Sequence, residues 1–301
     1  MPLVSVIVPA WNAASFIGEC LASAIAQDHA DLEILVIDDA SSDATADRVA
    51  TLAAADARIS LIRHASNRGV SAARNTGLAA ASGAYVAFLD ADDRWHPTKI
   101  ARQLAALAAT SDAALVFTAC RAIDARGAVT DQNLSRGRAI PLGRIDLKDF
   151  IIRRYPLITS SVLVERGSLD AAGHFDTSLA VGEDFDLWAR ILNRYPQAYV
   201  PDPLTDYRMH GASATADRLR NRLSKVQVLE KIHASPDFAA LAADAEFIAY
   251  LHRHYLGAAR ALRQHGQPAA ARELYTRALA LDTSWFTRLA TRFHRLRPAE
   301  R

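Results

Sequence analysis

Short β-branched runs alternate with longer alanine-rich stretches through the first half of the chain. VSVIVPA (Val4–Ala10) is apolar without alternation, which predicts a strand buried on both faces. A helix is expected over about residues 14–27. LEILVIDD (Leu32–Asp39) is a second strand ending in acids, and Ser41, Ser42 and Asp43 supply caps for a helix reaching about residue 55. ISLIRHA (Ile59–Ala65) is a third strand, GVSAARNTGLAAASG (Gly69–Gly83) a helix with glycine at both ends, and YVAFLD (from Tyr85) a fourth strand. HPTKIARQLAALAA then opens a helix with Pro97 near its N-terminus, where proline is tolerated. Repeated strand–helix–strand units imply an α/β fold, with a mostly parallel sheet and helices on both faces. In such sheets the ligand crevice lies at the carboxyl ends of the strands. Three strand ends here are polar: Pro9–Asn12, Asp38–Asp39 and Asp90–Asp93. They are expected to line one crevice.

The middle of the chain is less regular. AALVFTACRAID reads as a strand pair or one long strand, residues 124–145 as an Arg- and Gly-rich loop, and TSSVLVE (Thr159–Glu165) as a strand. GEDFDLWARILNRY (Gly182–Tyr195) begins with acids and becomes an amphipathic helix, with Leu187, Ile191 and Leu192 on one face. Trp188 reads as core, and AYVPDPLTDYRMHGAS as extended chain. From about Thr215 the pattern is helical, which divides the chain into 1–214 and a helical extension, 215–301. Within the extension, AARALRQHGQPAAARELYTRALALD (Ala258–Asp282) resembles one tetratricopeptide-type hairpin. Gly266 is at its turn, Ala271, Tyr275 and Ala278 at packing positions, and Thr283 where such repeats carry proline. One repeat cannot bury its own face, so it must lean on the domain or a partner. The last stretch sets Trp285, Phe286, Leu289 and Phe293 against Arg288, Arg292 and Arg295. It reads first as a terminal helix packed on the hairpin, and second as a basic helix making peripheral contact with an anionic membrane surface.

Composition narrows the class. Half of the 301 residues are hydrophobic, enough for a sizeable core, and a net charge of +2 gives no reason to expect a nucleic-acid partner. Two cysteines, Cys20 and Cys120, form no disulfide framework and read as core residues. Neither a signal peptide nor a membrane-spanning run is evident. The expected setting is cytoplasmic, with the inner membrane face as a second location through the terminal helix.

The densest chemistry is LDADD. In an extended segment residues i and i+2 point the same way, which puts Asp90 and Asp92 on one side. Two carboxylates without an intervening lysine suit a hard divalent cation, Mg2+ or Mn2+. The plainer alternative is a surface turn whose acids cap the helix near Pro97, and capping or support of that helix is the reading given to Asp93. The preceding strand and the other acidic strand ends favour the metal for Asp90 and Asp92.

VSVIVPAWN, ILVIDDASSDAT, NRGVSAARNTGL, YVAFLDADD, GEDFDLWAR and YRMHGAS, in this order across roughly residues 3–210, resemble family 2 glycosyltransferases. These are inverting enzymes of the GT-A fold that use nucleotide-diphosphate sugars. The resemblance implies a mixed sheet with helices on both faces. It places Pro9, Trp11 and Asn12 in the nucleotide pocket, with the Trp11 ring next to the base where the family often has Tyr. It puts Asp39, with Asp38 beside it, on the base, and Asn67 and Arg74 near the base or phosphates. Asp90 falls at the ribose or metal, Asp92 at the metal, and His210 near the metal or diphosphate, where Arg208 adds positive charge. Asp184 is implied as the general base that deprotonates an acceptor hydroxyl, with Glu183 orienting it or binding acceptor, while Asp186 reads as solvated. The implied donor is a UDP-sugar, and the acceptor a glycan, lipid-linked or protein hydroxyl of a cell-surface polymer. Two rivals stand beside this. A sugar nucleotidyltransferase would carry a glycine-rich, basic loop after the first strand, where PAWNAAS stands instead. A non-catalytic binding scaffold would have no need of acids at every motif.

Overall fold

The computed structural model describes residues 1–110, 112–134, 140, 145–153, 155, 157–210 and 217–281. By its contacts the chain divides into two compact units, one of residues 1–177 and 187–211, the other of residues 178–186 and 212–301. The membrane-facing expectation for Trp285–Arg295, and Thr283, lie outside the described residues. Among the described residues no helix is long and apolar enough to cross a membrane.

The first unit is built on one sheet. Strands β1 (Val4–Ala10), β2 (Leu32–Asp38), β3 (Ile59–Arg63) and β4 (Tyr85–Phe88) form its parallel part, in the order β3-β2-β1-β4. Helices α1 (Ile17–Ile25), α2 (Thr45–Ala55) and α3 (Val70–Ala80) make the crossovers. Beyond β4 the sheet is mixed. β5 (Arg94–Trp95) and helix α4 (Lys99–Ala108) lead to one long strand, β6 (Leu115–Ile123), which a short β7 (Val129–Asp131) joins. Helix α5 (Leu147–Arg153) and a 3-10 turn at Thr159–Ser161 precede β8 (Val162–Glu165), which lies antiparallel between β4 and β6. α6 (Arg166–Ala172), α7 (Glu183–Arg194) and β9 (Gln197–Arg208) follow, with β9 parallel to β6 and antiparallel to β5.

The unbroken apolar runs become the sheet centre: every residue of β1 is buried, as are Val86, Ala87 and Phe88 of β4. Trp188 is fully buried against Phe88 and Phe175. Pro9 sits inside β1 without breaking the ladder, for a local reason. The Ile7 carbonyl accepts from Leu89 N, so odd positions of β1 turn their backbone groups toward β4. The last β1–β4 pair is Ile7 with Phe88, so at Pro9 no partner remains to miss its N–H. Asp38 and Asp90–Asp93 close the neighbouring strands, so the three polar ends share one edge of the sheet.

The second unit contains α8 (Arg218–Ala234), a 3-10 turn at Pro236–Phe238, α9 (Ala239–Ala242), α10 (Ala245–Gln264) and α11 (Pro268–Ala280). Asp217 caps α8 by accepting from Arg220 N, and Asp244 caps α10 by accepting from Glu246 N and Phe247 N. Gly266, at φ +72°, turns α10 into α11, and Pro268 opens α11 where no N–H is required. Leu251, Ala258 and Leu262 of α10 and Ala271, Tyr275 and Ala278 of α11 are buried. Glu230 of α8 binds Tyr255 Oη at 2.7 Å and Arg277 Nη1 at 2.8 Å, joining three helices.

α3 lies directly on the sheet because it carries glycine at the contact. A β-carbon at Gly77 would stand 2.5 Å from Ile7 Cγ2 and 2.9 Å from Ile37 Cδ1. Gly77→Ala is expected to lower unfolding free energy by about 1–3 kcal/mol in urea melts, overpacking outweighing the gain in helix propensity. Unchanged stability would show that α3 can lift off the sheet freely.

Candidate active site

The loop after β1 is stitched to the loop after β2. Asn12 adopts φ +49° and its Oδ1 accepts from Ser42 N at 2.9 Å, while its own N–H donates to Ser41 Oγ at 2.9 Å. Ala13 N donates to Thr45 Oγ1 and Ala14 N to Asp43 Oδ2. Asp43 Oδ1 also accepts from Thr45 N, while the capping position of α2 falls on Ala44, which has no side-chain bond to offer, in place of the expected Ser41, Ser42 or Asp43. Pro9 is buried beneath these loops and Trp11 is 58% exposed.

The two acids closing β2 differ. Asp38 is fully buried with neither oxygen hydrogen-bonded, its ion-pair partner being Arg63 Nε at 3.5 Å. Asp39, also buried, accepts from Arg68 N and Gly69 N and meets His64 Nδ1 at 2.7 Å. Asn67 Nδ2 donates to the Asp39 carbonyl and its side chain stands in an exposed turn. Asp39 thus turns most of its acceptor capacity to forming the turn that enters α3 at Gly69 (φ +85°).

LDADD is a turn rather than an extended segment: Asp93 N donates to the Asp90 carbonyl at 3.0 Å. Strand alternation therefore does not place its acids, and each meets a different partner. Asp90 Oδ1 accepts from Arg74 Nη2 at 2.7 Å; Arg74 is buried, with its guanidinium 5.2 Å from the Phe175 ring centre. Asp92 Oδ2 lies 2.8 Å from His210 Nε2, and the His210 ring packs on Phe16. Asp93 is fully buried, which corrects its reading as a helix cap. Its Oδ2 accepts from Ser160 Oγ at 2.5 Å and its Oδ1 from Arg208 N at 2.8 Å. Ser160 Oγ in turn accepts from Asp90 N at 3.0 Å. Burial, then the charges of Asp92 and Asp90, push the Asp93 carboxyl well above the usual range. Burial and the charge of Asp90 also raise Asp92, against the opposing pull of His210.

Arg208 is 1% exposed. It donates through Nε to Asp92 O, through Nη1 to Asp124 O and Ala125 O, and through Nη2 to Glu19 Oε2, with Phe16 against its guanidinium. These bonds fasten it within the protein, where the sequence suggested a diphosphate contact. Glu19, Phe16 and Ser160 carry no motif signal and emerge only from the fold.

In the second unit, Gly182 (φ +84°) opens α7, and its carbonyl accepts from Asp186 N. Glu183 is buried, and Asp184 half-buried with Oδ1 accepting from Phe185 N at 2.7 Å. Asp186, expected to be solvated, is 2% exposed and ion-paired to Lys231 at 3.0 Å. Sequence separation hid that partner.

Among the described residues no three His, Cys, Asp or Glu side chains converge on a metal position. Asp90 and Asp92 nevertheless suit a hard divalent ion in kind: both are half-buried carboxylates, and burial, then the charge of Asp90, raise Asp92, a cost that a bound cation would relieve.

The family profile described as Glycosyl transferase family 2 matches residues 5–155. The UDP-Glc:alpha-D-GlcNAc-diphosphoundecaprenol beta-1,3-glucosyltransferase WfaP of Escherichia coli is 30% identical over 235 residues, 77% of this chain and 87% of that protein. The putative teichuronic acid biosynthesis glycosyltransferase TuaG of Bacillus subtilis is 42% identical over 103 residues, spanning 34% of this chain and 41% of TuaG. Among solved structures, S. aureus TarS 1-349 in complex with UDP superposes with a TM-score of 0.70 at 19% identity, covering 97% of this chain and 87% of that one. The mannosyltransferase PcManGT from Pyrobaculum calidifontis, in complex with GDP-Man and Mn2+, gives 0.65 at 25% identity, covering 97% and 79%. The sheet, the motif positions and these likenesses agree: the fold is the α/β GT-A fold, and the chain belongs to glycosyl transferase family 2.

Proposed function

We propose that this glycosyltransferase inverts the anomeric centre, moving a sugar from a UDP-linked donor to a hydroxyl of a lipid-linked glycan intermediate. The observation that carries the donor side is the LDADD turn. Three acids are held at the sheet edge by Arg74, His210 and Ser160, and Trp11, in the loop after β1, is exposed. The TarS complex with UDP supports a UDP donor. The relative WfaP, a glucosyltransferase acting on alpha-D-GlcNAc-diphosphoundecaprenol, supports a lipid-diphosphate acceptor. PcManGT with GDP-Man and Mn2+ supports a divalent ion.

In this reading Asp90 and Asp92 hold Mn2+ or Mg2+, which when bound supplies Lewis-acid stabilisation of charge on the departing diphosphate. Arg74 and His210 fix the carboxylates to which they are bonded. Trp11 offers its ring to the base, and Asn67 is presented by the turn that Asp39 organises, with Asp38 and Pro9 beneath. Arg208 clamps the LDADD turn from behind instead of meeting the diphosphate. Asp184 takes the proton of the acceptor hydroxyl, and Glu183 orients it.

Three measurements test the reading. In a thermal-shift panel, UDP and UDP-sugars should raise Tm only with Mn2+ or Mg2+ present; absence of metal-dependent stabilisation by any nucleoside diphosphate removes the donor assignment. Asp184→Asn should retain UDP binding while UDP release from the donor falls by about 100-fold or more; undiminished turnover would exclude Asp184 as the base. The third concerns Asp93. A carboxyl raised in the folded state binds more protons there than when unfolded, so its contribution to stability declines as pH rises above about 4. Asp93→Asn, still able to accept from Arg208 N, should gain on the wild type as metal-free melts move from acid to neutral pH. A gap independent of pH would show that Asp93 titrates as an ordinary acid.

A further inference from the structure

The segment Ser178–Asp186 groups by its contacts with the helical unit, although it lies within the sequence range of the catalytic motifs. One helix, α8, touches it at four places. Lys231 Nζ pairs with Asp186 Oδ2 at 3.0 Å. Lys225 Nζ stands 3.2 Å from the centre of the Phe185 ring. Arg220 Nη2 donates to the Ala180 carbonyl at 3.1 Å. At Gly182 a β-carbon would meet Val228 Cγ2 at 3.4 Å. These points bracket Asp184 on both sides in the chain.

We infer that α8 is a clamp for the first turn of α7, with Lys231 as a positioning residue for Asp184. The inference rests on the reading of Asp184 as the general base. Its physical ground is the burial of Asp186. A carboxylate that is 2% exposed depends on close positive charge, and removing the Lys231 ammonium at 3.0 Å favours its movement toward water. Asp186 lies half a turn beyond Asp184, so movement of one re-aims the other. Lys225 over Phe185 restrains the intervening residue. Gly182 supplies the left-handed backbone that lets the chain enter α7 while lying against Val228. A general base must sit within hydrogen-bond reach of the proton it takes, and a displacement of about 1 Å reduces rate by about 100-fold. The helical unit is thereby assigned a role in the chemical step, through a side chain that meets no substrate.

The test uses the full chain as wild type, Lys231→Met, Lys231→Arg and Asp184→Asn. Lys231→Met should lower kcat for UDP release by about tenfold or more while the Kd for UDP and KM for donor stay within about twofold. Lys231→Arg should restore most of kcat. Hydrogen exchange should quicken over residues 180–186 in Lys231→Met and stay unchanged in β1 and β2. Undiminished kcat, a parallel loss of UDP affinity, or unchanged exchange over 180–186 would overturn the clamp. If Lys231→Met does not fold, Lys225→Met, which frees Phe185 and leaves Asp186 paired, should quicken exchange over 180–186 and lower kcat by a smaller factor with UDP binding unchanged; no change in exchange or kcat would overturn the clamp. Should the wild type release no UDP from any donor, or Asp184→Asn keep full turnover, the functional reading fails, and exchange alone then decides whether α8 holds the segment.

Discussion

The carboxylate of Asp93 is the tie on which the candidate donor site depends. It reaches no solvent, and through two oxygens it joins the end of β4, the turn before β8 and the end of β9. These segments are 67 and 115 residues away in sequence. Ser160 extends the tie by accepting from Asp90 N, so one buried acid sets the backbone beneath both of its neighbours. Placing an acid there opposes burial and like-charge repulsion at once, and the hydrogen bonds from Ser160 and Arg208 offset part of that. Such a group contributes geometry more than stability.

Arg208 completes the frame from the opposite side. Its guanidinium gathers Asp92 O, two carbonyls of the β6–β7 turn and Glu19 from α1, so a planar five-donor group closes around the loop. Lysine would supply the charge without the fork. Glu19 is further paired with Arg94, and Arg94 with Asp206, which also takes Arg121. The acids at the sheet edge therefore sit within an alternating network of charge, not in isolation.

The parallel half of the fold is legible in the sequence because its signals are local. Unbroken apolar runs predict β1, β2 and β4, and Gly69 marks the start of α3, although the helix ends at Ala80, short of Gly83. The rest depends on contacts between residues far apart. Strand alternation does not govern Asp90 and Asp92, because the backbone turns at Asp90, which the apolar run before it does not reveal. Asp186 looked solvated because its lysine is 45 residues away, and Asp93 looked like a cap because its serine is 67 residues away. Arg208 looked available because motifs list residue types and not what already surrounds them. Periodicity identifies which face is buried; it does not identify the partner of a buried charge.

Pro9 carries a last consequence. A parallel sheet that parts at its carboxyl edge to admit a ligand strands the N–H groups that formerly faced the departing strand. In β1 the first such position after Ile7 is occupied by the one residue with no N–H. The parting of β1 from β4 therefore strands no amide donor at Pro9, only its carbonyl, which a small donor or water can satisfy from the open side.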